Sequence, residues 1–153
     1  MDFLPICVRI KDREILIVGG GTVAAHKAEI LHRFTNNAAI VAPQIAQELR
    51  KLPFRLVERE FRAEDLEGVD LLFVCTGDKE LNHRIKTLAE GRGILTSVCD
   101  DPSYCDFISP AISRREGDGL TIAVASDGKE VRRSIRVRNR INSLIERGLL
   151  SLE

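Results

Sequence analysis

Apolar positions along this chain fall into short continuous runs separated by stretches with helical spacing. Residues 15–18, 38–42, 69–75 and 93–99 are apolar runs of the kind a strand shows when both of its faces are covered. Residues 54–58 add a strand with partial alternation. Between these runs the spacing predicts helices over residues 23–34, 45–51 and Lys79–Glu90, with Leu81, Ile85, Leu88 and Ala89 on one side of the last, and a brief helical turn over Ala63–Leu66. Upstream, residues 4–10 alternate as a short strand, and Lys11-Asp12-Arg13 turns the chain into the first core strand. Strands alternating with helices at these lengths imply an α/β fold, a parallel sheet with helices on both faces.

The pattern changes after Asp100. Residues 107–113 and 120–125 read as two strands joined by the polar, glycine-containing stretch Arg114-Arg115-Glu116-Gly117-Asp118-Gly119, an antiparallel hairpin. A last helix is expected over residues 129–147. At about 100° per residue, Val131, Ile135, Val137, Ile141, Leu144 and Ile145 share one half of it. Arg132, Arg133, Arg136, Arg140 and Arg147 share the other. A hairpin and one amphipathic helix cannot bury that stripe alone, so a partner is expected, most simply a second copy of the chain. Arg138 falls inside the stripe and should reach a carboxylate or a carbonyl there. The arginine face suits either solvent or a polyanionic ligand. The resulting division is 1–106, a nucleotide-binding domain, and 107–153, a hairpin and helix for dimerisation and for the substrate side.

Composition narrows the function classes. At 153 residues the chain is one ordinary domain with a small appendage, and 23 basic residues cancel 23 acidic ones, which gives no argument for nucleic acid or an anionic membrane. The N-terminus lacks the apolar core and cleavage site of a signal peptide, and no run approaches the ~20 residues that span a bilayer. A cytoplasmic location is expected. The four cysteines, Cys7, Cys75, Cys99 and Cys105, form no C-x-x-C pair and are expected as free thiols. His26, His32 and His83 fall among charged residues on helices without metal-ligand spacing, so no metal site is expected.

The chemistry concentrates at two places. The first is Gly19-x-Gly21-x-x-Ala24, between an apolar strand and a helix start, where the Rossmann fingerprint has meaning. Gly19 would turn the chain off the strand, Gly21 would let the backbone approach a pyrophosphate, and Ala24 would let helix and strand pack closely. The helix N-terminus would supply N–H groups and partial positive charge. A glycine-rich connection without a ligand is the bland alternative. Gly19, Gly20, Gly21, Thr22 and Val23, with Pro43 and Gln44 after the second strand and Thr76 after the fourth, are the candidate cofactor residues. Where an NAD site usually places an acid for the ribose, this chain has Ala42-Pro43-Gln44, and no arginine stands there for a 2′-phosphate.

The second place is Asp100-Asp101-Pro102-Ser103-Tyr104-Cys105-Asp106-Phe107, which begins where the last core strand ends. One of its carboxylates could serve as a general base, its pKa raised by crowding of like charges. A turn with capping aspartates is the structural alternative.

Together these residues resemble the precorrin-2 dehydrogenase family, the NAD-dependent module of siroheme synthase. Leu4-Pro5-Ile6 matches the family's opening, Val18-Gly19-Gly20-Gly21-Thr22-Val23-Ala24 its glycine turn, and Val41-Ala42-Pro43 the end of its second strand. Residues 100–111 match D-D-P-x-x-C-D-F-x-x-P-A. The resemblance implies NAD as cofactor, Asp100 as the catalytic acid–base residue, and oxidation of precorrin-2 to sirohydrochlorin by loss of a hydride and a proton. It implies an anionic tetrapyrrole as the partner of Arg132, Arg136 and Arg140, with Ser126 and Lys129 beside them on the substrate side. Some members also insert iron. The chain departs from the family's G-G-K-S-P after the hairpin, where it reads Asp127-Gly128-Lys129-Glu130-Val131. An NAD- or tetrapyrrole-binding module without turnover is the alternative function.

Overall fold

The computed structural model describes residues 2–114 and 119–151. The chain divides into two compact units, residues 7–107 and, separately, residues 1–6 with 108–153.

The larger unit is a parallel sheet of five strands in the order β3-β2-β1-β4-β5. These are β1 (Ile15–Val18), β2 (Ala39–Ala42), β3 (Arg55–Glu58), β4 (Leu71–Val74) and β5 (Leu95–Val98). The helices are α1 (Thr22–His32), α2 (Gln47–Arg50) and α3 (Lys79–Glu90). A 3₁₀ turn, Ala63–Leu66, precedes β4, and another, Pro102–Tyr104, follows β5. The apolar runs of β1, β2 and β4 are buried along their full length, because the alternation of a strand sends neighbouring side chains to two different cores. Ile15, Ile17, Ile40 and Phe73 pack with Ala24, Ala25 and Ala28 of α1 and Leu49 of α2. Leu16, Val18, Leu72 and Val74 pack with Ile85 and Ala89 of α3. The sheet is therefore covered on both faces, and β1 lies at the point where the strand order reverses. Ligands of such sheets bind at that point, beyond the carboxyl ends of the strands.

The free edge of β5 is closed by backbone and side-chain groups of the segment that follows it. The Asp106 backbone N–H donates to Thr96 O at 2.8 Å, and the Asp106 carboxylate accepts the Thr96 N–H at 2.8 Å. Cys105 Sγ accepts the Val98 N–H at 3.1 Å and donates to Val98 O at 3.2 Å. Phe107 then meets Phe73 edge to face at 5.4 Å.

The smaller unit holds the antiparallel pair β6 (Ala111–Arg114) and β7 (Thr121–Val124), with α4 (Val131–Glu146) packed on both strands. Arg138 meets the expectation of a carboxylate or carbonyl partner: its Nη1 donates to Ile112 O at 2.6 Å. The loop residues Arg115, Glu116, Gly117 and Asp118 lie outside the described residues.

One predicted element is absent. Residues 4–10 form no strand, and Leu4 and Ile6 are 80% and 71% exposed. Alternation alone specifies a strand only where a neighbour offers pairing. The N-terminus is instead tied by the Asp127 carboxylate, which accepts the N–H groups of Asp2 and Phe3 at 2.8 and 2.9 Å.

Candidate active site

The glycine turn leaves β1 at the switch point, and its glycines meet different surroundings. Gly19 has φ +129°, and a Cβ there would lie 2.4 Å from Cys75 O. A Cβ on Gly20 would lie 1.9 Å from Gln44 O. Both positions are closed to any side chain, and the second brings the Pro43-Gln44 turn against the glycines. Gly21 is the reverse case: it has extended φ/ψ, and a Cβ would meet no described atom within 4 Å. Gly21 is the N-cap of α1, which carries no side-chain cap and no acidic residue in its first turn. Helix geometry leaves the first-turn N–H groups of Thr22, Val23 and Ala24 without intrahelical acceptors. An open cradle ending in uncapped N–H groups fits a pyrophosphate. Pro43, Gln44, Thr22 and Val23 are exposed, so the candidate cofactor residues of the first two loops share one accessible edge of the sheet.

Thr76, the last of the candidates, is half-buried where β4 ends. Its hydroxyl donates to Asn82 Oδ1 at 2.5 Å and lies 3.2 Å from Asp78 O and from the Asp78 N–H, which it accepts. Asp78 caps α3 by accepting the Leu81 N–H at 3.0 Å.

The three carboxylates of residues 100–106 separate by role. Asp101 accepts from the Ser103 hydroxyl and N–H and from His83 Nε2; the Ser103 hydroxyl above all, with His83 and the Ser103 N–H, holds its pKa below the ordinary carboxylate value against the opposing effect of desolvation. His83 in turn stacks on Tyr104 at 3.8 Å. Asp106 takes Lys86 Nζ on both oxygens at 2.7 and 2.8 Å as well as the Thr96 N–H. Lys86 itself is 3% exposed, and its ammonium also meets Glu90 at 3.0 Å. Like-charge crowding is not the rule here, because two of the three carboxylates carry structural partners. Asp100 is the remaining one: exposed at the carboxyl end of β5, it accepts from Asn82 Nδ2 at 3.1 Å. Of the three it alone is met by no cationic side chain among the described residues, which leaves its carboxylate the one suited to accept a proton.

Cys75 and Cys99 stand side by side where β4 and β5 end, and all four cysteines are free thiols. Hydrogen bonding to Cys99 and burial push the Cys75 thiol far above its ordinary value. The same contact lowers that of Cys99. No group of metal-ligating side chains is found among the described residues.

In the smaller unit, Arg132, Arg136 and Arg140 are exposed on one face of α4, while Arg133 pairs with Glu130 at 3.1 Å. Ser126 and Lys129 are engaged within the unit. Ser126 Oγ accepts the Glu130 N–H at 3.2 Å and pairs with Ser134 Oγ at 2.8 Å. Lys129 meets Asp127 at 2.8 Å and Asp2 at 3.5 Å. Lys129 and the two N-terminal N–H groups hold the Asp127 carboxyl down at about 2.

Sequence reasoning missed Asn82, fully buried on the core face of α3. A polar residue at a position where the helical period predicts an apolar one was the available signal.

An uncapped helix start over a glycine turn, at the switch point of a doubly covered parallel sheet, defines a Rossmann-type nucleotide-binding domain. Residues 6–111 match the NAD_binding_7 family, described as "Putative NAD(P)-binding", and the chain belongs to that family. It is 37% identical to the siroheme synthase of Photorhabdus laumondii over 153 residues, 97% of this chain and 32% of that one. It is 40% identical to the siroheme synthase of Pseudomonas aeruginosa over 132 residues, 84% of this chain and 28% of the relative. The chain thus spans about a third of the length of these relatives. Among solved structures, SirC, precorrin-2 dehydrogenase, shares the fold with a TM-score of 0.77 at 23% identity, over 92% of this chain and 70% of that one. No helix among the described residues is long and apolar enough to cross a membrane.

Proposed function

We propose that this chain is the NAD-dependent dehydrogenase module that oxidises precorrin-2 to sirohydrochlorin in siroheme biosynthesis. The observation that carries the proposal is the pairing, on one sheet edge, of an open cradle at Gly21 with an exposed carboxylate at Asp100. The siroheme synthase relatives and the fold shared with a precorrin-2 dehydrogenase support the choice of substrate.

The 3-2-1-4-5 strand order brings the chemistry together. Gly21, Thr22 and Val23 would hold the pyrophosphate through backbone N–H groups, with Pro43 and Gln44 toward the adenosine and Thr76 toward the nicotinamide. NAD, when bound, supplies the acceptor for the hydride. Asp100 takes the proton that leaves the macrocycle as the new double bond forms, so two electrons and two hydrogens leave precorrin-2 and are accounted for. Arg132, Arg136 and Arg140 would pair with the ring's peripheral carboxylates, which suits a substrate whose reaction needs position more than covalent help. We place Ser126 and Lys129 as supports of that surface: one holds the Glu130 N–H and the Ser134 hydroxyl at the start of α4, and the other ties that start to Asp127 and Asp2. A homodimer through the exposed part of the α4 stripe, in the cytoplasm, completes the proposal.

The test is turnover. Precorrin-2 added to the protein with NAD should raise NADH absorbance, and Asp100→Asn should slow that rise by about 10²- to 10⁴-fold with NAD affinity unchanged. Asp101→Asn is the milder control. NADH that does not rise with the parent protein rejects the assignment. Parental turnover in Asp100→Asn moves the base elsewhere.

A further inference from the structure

Asn82 is unused by the reaction proposed above, yet it is built into the sheet edge where that reaction would occur. It lies on α3 three and seven residues before Ile85 and Ala89, all of them fully buried. Position alone calls for an apolar side chain there. An amide in that place costs free energy unless its hydrogen bonds are met, and here they are met by two particular residues. Asn82 Oδ1 accepts from the Thr76 hydroxyl at 2.5 Å, and Nδ2 donates to Thr76 O at 3.2 Å and to Asp100 Oδ1 at 3.1 Å. One side chain joins the end of β4 to the end of β5.

From this geometry we propose that Asn82 is the positioning residue for Asp100. The inference rests on the dehydrogenase assignment with Asp100 as proton acceptor.

The orientation of the amide is fixed from one side. Thr76 offers a donor and an acceptor, and together they set which end of the amide is oxygen. The reversed amide would present its oxygen to the Asp100 carboxylate, two acceptors face to face. With Oδ1 of Asp100 held by Nδ2, its Oδ2 is left for the proton of the substrate. Asp101 gives Asp100 no such guidance, since its own carboxylate is turned to Ser103 and His83. A base on an exposed turn would otherwise sample several rotamers, and proton transfer needs it within hydrogen-bond reach of one atom.

The test uses Asn82→Leu and Asn82→Asp beside the parent protein. In single-turnover oxidation of precorrin-2, Asn82→Leu should be slower by about 10²-fold, the loss expected when a reacting group is misplaced by an ångström or so. The Michaelis constants for NAD and precorrin-2 should be unchanged. Asn82→Asp should be as slow at neutral pH, where two carboxylates face each other. Its rate should recover relative to the parent as pH falls and the new carboxyl becomes an O–H donor to Asp100. A role confined to packing would produce no such recovery. A crystal structure of Asn82→Leu should show the Asp100 carboxylate out of its present place, a readout that needs no activity. Parental single-turnover rate in Asn82→Leu overturns the inference and leaves the dehydrogenase assignment standing. Absent turnover in the parent rejects the assignment, and the position of Asp100 in the variant crystal still decides for or against Asn82. Should Asn82→Leu fail to fold, the pH recovery of Asn82→Asp decides, and its absence counts against the proposal.

Discussion

Gly19, Gly20 and Gly21 are adjacent in sequence and answer to three constraints. Gly19 needs its positive φ, Gly20 needs its missing Cβ because of Gln44 O, and Gly21 needs neither for folding. Replacing Gly21 with aspartate therefore leaves the turn intact and puts a carboxylate over the first amides of α1. At a few ångströms from a bound phosphate, repulsion of about 1–4 kcal/mol weakens NAD by about 5- to 10³-fold. Calorimetry of a folded Gly21→Asp protein checks this, and parental affinity would exclude Gly21 as the point of pyrophosphate approach. The pattern Gly19-x-Gly21-x-x-Ala24 made the turn legible in the sequence, because backbone conformation there is a one-residue property. What Gly20 does was not legible, since its constraint comes from Gln44, on a different loop. Asn82 was hidden for the same reason. Its partners lie 6 and 18 positions away in sequence and meet only when β4 and β5 pair.

At the scale of elements, strands and helices followed from apolar spacing, and α3 falls on its predicted bounds, Lys79–Glu90. Where spacing misled, at residues 4–10, the cause was a missing pairing partner. The segment after β5 shows what spacing cannot reveal. Its acidic cluster reads as chemistry, yet Cys105 and Asp106 serve as a substitute strand for the edge of β5, which protects that edge from pairing elsewhere. Asp106→Ala removes the carboxylate from that substitute and leaves Lys86 with Glu90 as its remaining ionic partner. Losing one partner of a fully buried pair costs about 3–5 kcal/mol. Asp106 is 34% exposed and Glu90 stays, so a loss on the order of 2 kcal/mol is expected by urea unfolding. A midpoint unchanged from the parent would return Asp106 to the list of candidate bases. On α4, the arginines of one face lie about one turn apart. Neutralising Arg132, Arg136 and Arg140 together should raise the Michaelis constant for precorrin-2, leave NAD affinity alone, and flatten the salt dependence of substrate binding. A triple variant with parental substrate affinity would assign this face to solvent.

At the scale of the molecule, the smaller unit is short of partners for its apolar surface. The face of α4 turned to β6 and β7 carries Ser134, Arg138, Ile141 and Ile145, buried or half-buried. Further round the helix, Val131 is 60% exposed, Ile135 37% and Val137 42%, and Leu149 and Leu150 continue the exposed set. A hairpin and one helix have a single layer of core between them, and such a small unit buries too little of its surface to be stable without help. A second copy meeting the same stripe would supply that help through a two-fold, self-complementary interface. Ile135 is the position to probe. It is 37% exposed in the single chain, so an aspartate there can turn its carboxylate to solvent while α4 stays on its hairpin. In a dimer it would bury a carboxylate with no partner, on the order of several kcal/mol against association. Sedimentation at micromolar concentration should find the parent as a dimer and Ile135→Asp as a folded monomer whose larger unit still binds NAD. A parent that sediments as a monomer, or a variant that remains a dimer, would mean that the stripe is covered by something other than a second copy.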